Sequence, residues 1–417
     1  MDLRGRRLLI LGGSIQCLKV VSAAKEMGIY TIVTDISASK EVSAVADEIL
    51  PYSVMDVNAL YNWCQKNPVD GIINYCIDFS QHSHQILCEK LNLPCFGTAE
   101  QYHALTDKTK FKELCINNFL DVIPEYDESN LNAIEYPVLI KPAESSGSRG
   151  INICYSRVEL NDMLIQAKNA SRNDKIIIEK YMGGKQDFTV TFLVVDGKPY
   201  LIRLGDRHLG RVEDGLNRQC VCTTSPSLFN ALYFNNVHHK VLQMIRNLKM
   251  NNGPIFLQGF IDGDKFRFYD PGIRFPGGEY DRLFYAATGI DIVSAMVSYA
   301  LTGKLAVDGL DEKSYLLNGK VAVQLTLAAK PGTISEYSGF EEIDKIPSVI
   351  CVAQKAHIGK IIPASSDVKQ RVIEVDFLAQ NRKDIGSIAK EIYTTLRILD
   401  ENGSDMLVSK FDGERVC

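Results

Sequence analysis

The chain has 417 residues, more than one hydrophobic core usually serves, so about two to four packed units are expected. With 46% hydrophobic and 23% charged residues it has the composition of an ordinary globular enzyme, which excludes a disordered or fibrous chain. A net charge of −5 with no long Lys/Arg run argues against a nucleic-acid partner held through phosphate contacts.

At the start, positive charge precedes the apolar run Leu8 to Leu11, which is too short for a signal-peptide core or a membrane span. A cytoplasmic protein without a membrane partner is expected. The 11 cysteines, an odd number without CxxC pairs, read as reduced thiols rather than a disulfide or zinc framework. His82, His84 and Cys88 share a predicted helix, where a polar face explains them better than a metal.

Residues 7–97 alternate short apolar runs with helical patterns: RLLIL, a helix over 15–27, YTIVTD, a helix over 57–65, DGIINY and a helix over 80–91. Repeated βα units predict a parallel sheet covered by helices. Gly12-Gly13-Ser14 opens the first helix, where unpaired backbone N–H groups favour an anion. A dinucleotide site would place Asp35 on a ribose, but the GxGxxG order is broken, because the run reads Gly-Gly-Ser-Ile-Gln-Cys from Gly12.

From Thr98, Pro124 and Pro137 interrupt the pattern before the extended run Val138 to Lys141. A strand INICY, a helix over 158–167, and strands KIIIEKY and DFTVTFLVV follow, with a turn at Asp196-Gly197. IFLQGFIDGDKFRFYD reads as a strand pair turned at Asp262-Gly263-Asp264. A helix capped by Asp291 then ends at Gly303. Beyond Lys320 come the short strands VAVQLTLAA, PSVICVA, GKIIP and RVIEVDFL, and a helix with Ile385, Ile388, Ala389, Ile392 and Leu396 on one stripe.

The strongest local signal runs from Lys141 through Ala143, Glu144, Ser145, Ser146, Gly147, Ser148 and Arg149 to Gly150. Small residues let backbone N–H groups turn around phosphate oxygens, while the lysine supplies a compact charge; a flexible hairpin tip explains the run equally well. Arg203 near the end of the strand PYLIRL, and Arg207 and His208 just after it, suit a substrate carboxylate or phosphate, and a solvated loop is the competing reading.

Taken in order, Asp107 to Lys112, VLIKPAESSGSRG, Glu179 to Met182 and DPGIRFPGG resemble the ATP-grasp superfamily over nearly the whole chain. The nearest branch contains carbamoyl phosphate synthase, biotin carboxylase, the purine carboxylating synthetases and the L-amino-acid ligases. The resemblance implies an α/β protein in three parts: an N-terminal parallel α/β domain over 1–97, a central ATP-grasp α+β module over 98–304, and a C-terminal α/β domain over 305–417. A mobile small lobe would span about 120–190.

The resemblance also implies roles. Lys108 and Lys141 contact ATP phosphates, and the loop carrying Ser145, Ser146, Gly147, Ser148 and Gly150 closes over them. Glu179, Lys180, Tyr181 and Met182 form the hinge that meets the adenine, and Asp187 takes the ribose hydroxyls. In the family, one carboxylate on a strand and a Glu-x-Asn-x-Arg run about twelve residues later hold two Mg²⁺ ions. Here those positions are Gln258, Asp270, Gly272 and Arg274, so Asp270, with Gln258 as a neutral oxygen, is expected to hold one firm Mg²⁺. Restoring the family's pattern by Gln258→Glu should strengthen metal binding.

Arg274 and Lys141 are the expected catalytic groups. Gly13, Ser14, Arg203, Arg207, His208 and Arg274 are the substrate candidates. The implied reaction is ADP-forming ligation of a small carboxylate to an amine by way of an acyl phosphate, in a homodimer. A bicarbonate-using carboxylase, an ATP-binding regulatory protein with a degenerate metal site and an NAD-linked oxidoreductase remain open alternatives.

Overall fold

The fold is that of a computed structural model, which describes residues 2–142, 151–171, 174–210, 219–364 and 368–408, together with Phe411 and Gly413. Strands β1 (Arg7–Leu11), β2 (Tyr30–Thr34), β3 (Glu48–Leu50) and β4 (Gly71–Ile73) form a parallel sheet in the order β3-β2-β1-β4. Helices Leu18–Glu26, Val57–Lys66 and Gln81–Leu91 lie where the periodicity predicts them. Successive side chains of β1 serve opposite faces: Leu8 and Ile10 enter the main core, Leu9 and Leu11 a smaller one. The three residues of β3 were too short a run to register as a strand.

A second, antiparallel sheet joins β5 (Glu125–Tyr126), β6 (Val138–Pro142), β7 (Asn152–Cys154) and β8 (Ile176–Lys180) in the order β5-β8-β6-β7. Helix Arg157–Ala170 covers it, and Val138, Ile140, Leu160, Leu164 and Ile178 give this small lobe a core of its own.

The largest sheet takes β9 (Gln186–Val195), β10 (Lys198–Leu209), β11 (Cys220–Ser225), β12 (Gly253–Asp262), β13 (Lys265–Gly272) and β14 (Val321–Ala328). After β15 (Gly332–Ser338) come β16 (Val349–Gln354), β17 (Ile361–Ile362), β18 (Arg371–Ala379) and β19 (Arg397–Asp400). The eight-stranded order is β13-β12-β9-β10-β11-β14-β18-β16, so the sheet continues across residue 304 into the C-terminal part. Positive φ at both Asp196 (47°) and Gly197 (77°) makes the β9–β10 turn of the primed type that matches strand twist. Asp291 caps helix Ile292–Thr302 by accepting from the Ser294 N–H at 2.9 Å, and Gly303 (φ 69°) ends it.

A buried ion cluster fastens the parallel domain to the rest. Lys19 donates to Asp281 (2.7 Å) and to the Gly278 carbonyl (2.7 Å), with Glu279 at 3.3 Å. Burial pulls its ammonium down, but Asp281 and Glu279 outweigh that and hold it above the ordinary lysine range. Lys19→Met would strand the buried Asp281 and leave Glu279 only the part-exposed Arg282, and we expect a loss of about 3–5 kcal/mol in urea unfolding; a loss below about 1 kcal/mol would show the cluster to be dispensable.

Candidate active site

Lys108 opens helix Lys108–Asn117, whose N-cap Asp107 accepts from the Lys110 N–H at 2.9 Å. Its ammonium lies 3.9 Å from Asp270 on β13. One turn further, on the same helix face, Lys112 reaches Glu179 at 3.2 Å. Glu179 on β8 also receives Lys141 of β6 at 2.6 Å, across paired strands. Burial pushes the Glu179 carboxyl up, yet Lys141 and Lys112 hold it below the usual carboxylate range. Burial lowers Lys141, which Glu179 opposes and Lys108 reinforces. Lys141 is 6% exposed and part of a packed ion network rather than a surface group at the base of a loop. Ser145, Ser146, Gly147, Ser148 and Gly150 lie outside the described residues.

At the hinge, the Lys180 N–H donates to the Pro124 carbonyl (2.9 Å) and the Tyr181 N–H to the Pro137 carbonyl (3.1 Å), while Met182 is buried. These bonds hang the small lobe's last strand on the segment before it. Asp187 is also buried rather than on a strand rim. Arg207, its partner in the β9–β10 register, donates to it at 2.6 Å. Burial raises the Asp187 carboxyl to about 6, and its Oδ1 has no hydrogen-bond partner among the described residues.

Gln258 and Asp270 are register partners across β12 and β13. The Gln258 carbonyl oxygen accepts from Arg207 Nη1 (3.1 Å) and Nε (3.2 Å), an orientation assigned from the surrounding donors. A cation therefore occupies the oxygen that a metal would need. Burial raises the Asp270 carboxyl, opposed by Lys108 and Arg274. A Cβ at Gly272 would lie 3.3 Å from Arg274 Cγ, a tight contact that a shift of a few tenths of an ångström in that side chain would relieve. Arg274 crosses to Asp78 of the parallel domain at 3.1 Å and stacks over Phe256. Three further acids carry charge in these segments: Asp262 is held down to about 2 by Lys185 and Arg267, and Glu279 and Asp281 are engaged by Lys19.

Alternation along β9 sends Phe188, Val190 and Phe192 into the core and puts Thr189, with Arg203 and Arg207 of β10, on a cavity of about 230 Å³. Asp270, Arg274, Gln258, Gln324, Lys355, Arg371 and Glu374 line the same cavity. Arg203 is strand, not solvated loop; it donates to Gln324 at 2.5 Å and lies over the Tyr280 ring. His208 points the other way, against Thr224 (3.2 Å) and Phe411, and is separated from the two arginines. Gly13 and Ser14 do not present a free anion nest, since the Gly13 N–H donates to Asp35 at 2.8 Å. Asp35 thus closes its own loop, and Gln16, one turn on, lines the cavity instead. Thr189 Oγ1 and Arg371 Nε are buried without hydrogen-bond partners among the described residues, as expected of a face built to meet a ligand.

Sequence reasoning missed Lys112, Asp78, Gln324, Lys355, Arg371 and Glu374. Lys112 was signalled by its i+4 spacing from Lys108. Glu374, between the apolar Ile373 and Val375 of β18, was signalled by charge at alternate positions in a strand otherwise buried. Near helix Gln81–Leu91, His84, Cys88 and Cys95 approach within 4.8 Å, but both His84 ring nitrogens are already engaged, by Tyr102 (2.7 Å) and the Ile72 carbonyl (3.2 Å).

A small antiparallel lobe with its own core, facing a large antiparallel sheet and backed by a parallel α/β domain, is the architecture of an ATP-grasp module. Residues 109–307 match the family described as carbamoyl-phosphate synthase L chain, ATP binding domain. Over that stretch the chain is similar to ATP-grasp domains of the carbamoyl-phosphate-synthase type. It is 24% identical to a D-alanine–D-alanine ligase of Fervidobacterium nodosum over 58% of this chain and 80% of that one. Of the other curated relatives it matches, it spans about half the length or less.

Among solved structures it resembles an L-amino acid ligase from Bacillus licheniformis (TM-score 0.78, 16% identity, covering 96% of this chain and 100% of that). It also resembles the biotin carboxylase domain dimer of Hydrogenobacter thermophilus 2-oxoglutarate carboxylase in complex with MgADP and bicarbonate (TM-score 0.73, 18% identity, covering 94% and 90%). These similarities show the fold, and the relatives named are ligases and carboxylases. No single helix among the described residues is long and apolar enough to cross a membrane.

Proposed function

We propose that this chain is a cytoplasmic, ADP-forming ligase that activates a small carboxylate with ATP and joins it to an amine. One observation carries the reading: a single polar cavity joins Asp270 and Arg274, beside Lys108, to Arg203, Arg207 and Arg371. Nucleotide and acid would then meet at Arg274.

In this reading Lys108 and Lys141 neutralise the phosphates, the hinge from Glu179 to Met182 seats the adenine, and Asp187 meets the ribose. A carboxylate oxygen of the substrate bonds to the γ-phosphorus as the bond to the β–γ bridging oxygen breaks, releasing ADP. The amine nitrogen then bonds to the acyl carbon, phosphate leaves, and the amine gives up a proton. Arg274 holds the developing oxyanion in its planar fork. Asp270 fits one Mg²⁺: it is the one carboxylate on the β12–β13 pair that lines the cavity, while the Gln258 oxygen is committed to Arg207. When bound, the ion offsets phosphate charge. Division into domains at residues 97 and 304, with the large sheet shared across the second boundary, and a homodimer complete the proposal.

The test is an ADP-release screen over amino acids, small acids and bicarbonate, with and without amines. Release driven by bicarbonate alone would replace the ligase by a carboxylase. Binding of ATP without release by any acid would leave a regulatory protein. Before that screen, saturating Mg-ATP should raise the melting temperature, because a ligand at 100 times its Kd adds about 2.7 kcal/mol to the native state. NADH should not; stabilisation by NADH and none by ATP would refute the nucleotide assignment.

A further inference from the structure

The cavity at Arg274 does not end there. Gln16, Lys355 and Arg371 line both it and an outer groove of about 480 Å³, which continues to Lys360, Ile361 and Lys369. In that groove Lys355, Lys360, Lys369 and Arg371 are all cationic, and no carboxylate lines it among the described residues. Lys355 is balanced by Glu374 and Lys369 is engaged as well, which leaves Lys360 and Arg371 to face an anion. Arg371 keeps a buried Nε–H without an acceptor among the described residues, which a folded protein tolerates at a cost unless a ligand satisfies it. Like charges gathered on one wall repel one another and focus a field that draws anions. Ile361, 71% exposed at the same rim, offers apolar surface between the charges.

We propose that the outer groove seats a second anionic group, a phosphate or a carboxylate, carried by the same acid that the inner cavity activates. This rests on the ligase reading above. The substrate is then an acid charged at both ends: one carboxylate lies at Arg274 for activation, and the other anion is held by Arg371 and Lys360. A bidentate guanidinium suits either anion, and Lys360 adds charge without shape.

The test measures binding of succinate and of inorganic phosphate by calorimetry, with the non-hydrolysable analogue AMP-PNP present so that the nucleotide site is filled. Wild type is compared with Lys360→Ala and, separately, with Arg371→Gln. Both changes should weaken binding at least tenfold without altering AMP-PNP affinity, which reports an intact fold. Loss confined to phosphate assigns a phosphorylated acid, and loss confined to succinate a dicarboxylate. No binding by wild type, or equal binding by wild type and both variants, overturns the subsite. If the variants lose binding while no acid releases ADP from wild type, the subsite stands and the ligase reading falls.

Discussion

Lys141→Met is expected to weaken ATP binding about 10- to 100-fold, the worth of a charge-assisted hydrogen bond to phosphate. It should also destabilise the fold, contrary to what a lysine beside a loop would suggest, because Lys141 is buried and donates to Glu179 at 2.6 Å. Lys112 still reaches Glu179, so the cost falls below that of a fully stranded charge, at about 1–3 kcal/mol. The two losses separate in a double variant. Adding Glu179→Gln removes the stranded charge and should recover stability while leaving ATP affinity as weak as in Lys141→Met. Unchanged ATP affinity in a folded Lys141→Met variant would remove Lys141 from the phosphate site. Recovery of affinity together with stability would show that the lysine acts only through the fold.

How much of this was legible depended on the range of the interaction. The parallel domain was readable because its strands are buried on both faces and its helices have one apolar stripe, both local properties of sequence. The turn at Asp196-Gly197 and the cap at Asp291 were readable for the same reason. Arg203 was left between strand and loop because a charged residue in a run such as LIRLGDRHL carries no burial signal. Its partner Gln324 is 121 residues away, and nothing local reports it. The pair Arg274–Asp78 and the pair Lys19–Asp281 likewise join segments that only the tertiary fold brings together. Gln258 and Gly272 stood out as departures from a family pattern, but the reason they are tolerated, Arg207 against one and Arg274 beside the other, appears only in three dimensions.

The departure at Gln258 fixes the metal count we expect. Two Mg²⁺ ions about 3.5–4 Å apart repel with four times the energy of a unit pair, and anionic ligands must offset that. Here Asp270 is the carboxylate on the β12–β13 pair facing the cavity, while the carbonyl of Gln258 accepts two hydrogen bonds from Arg207. We therefore expect one firm ion. Asp270→Asn should weaken Mg²⁺ binding in the presence of AMP-PNP by about 100-fold, read by calorimetry or by Mn²⁺ titration. Gln258→Glu alone should strengthen it little, because the new carboxylate would be taken bidentately by Arg207 at the positions its carbonyl now accepts. Combining Gln258→Glu with Arg207→Gln frees that carboxylate, and a second ion should then appear in the titration. Asp187 loses its cation in that variant, but its carboxyl, already raised to about 6, can take a proton rather than stay charged and unpaired. Wild-type metal affinity in Asp270→Asn would overturn the assignment. So would a wild-type complex with two fully occupied Mg²⁺ ions, one of them on Gln258, since its oxygen would then have to leave Arg207 for the metal.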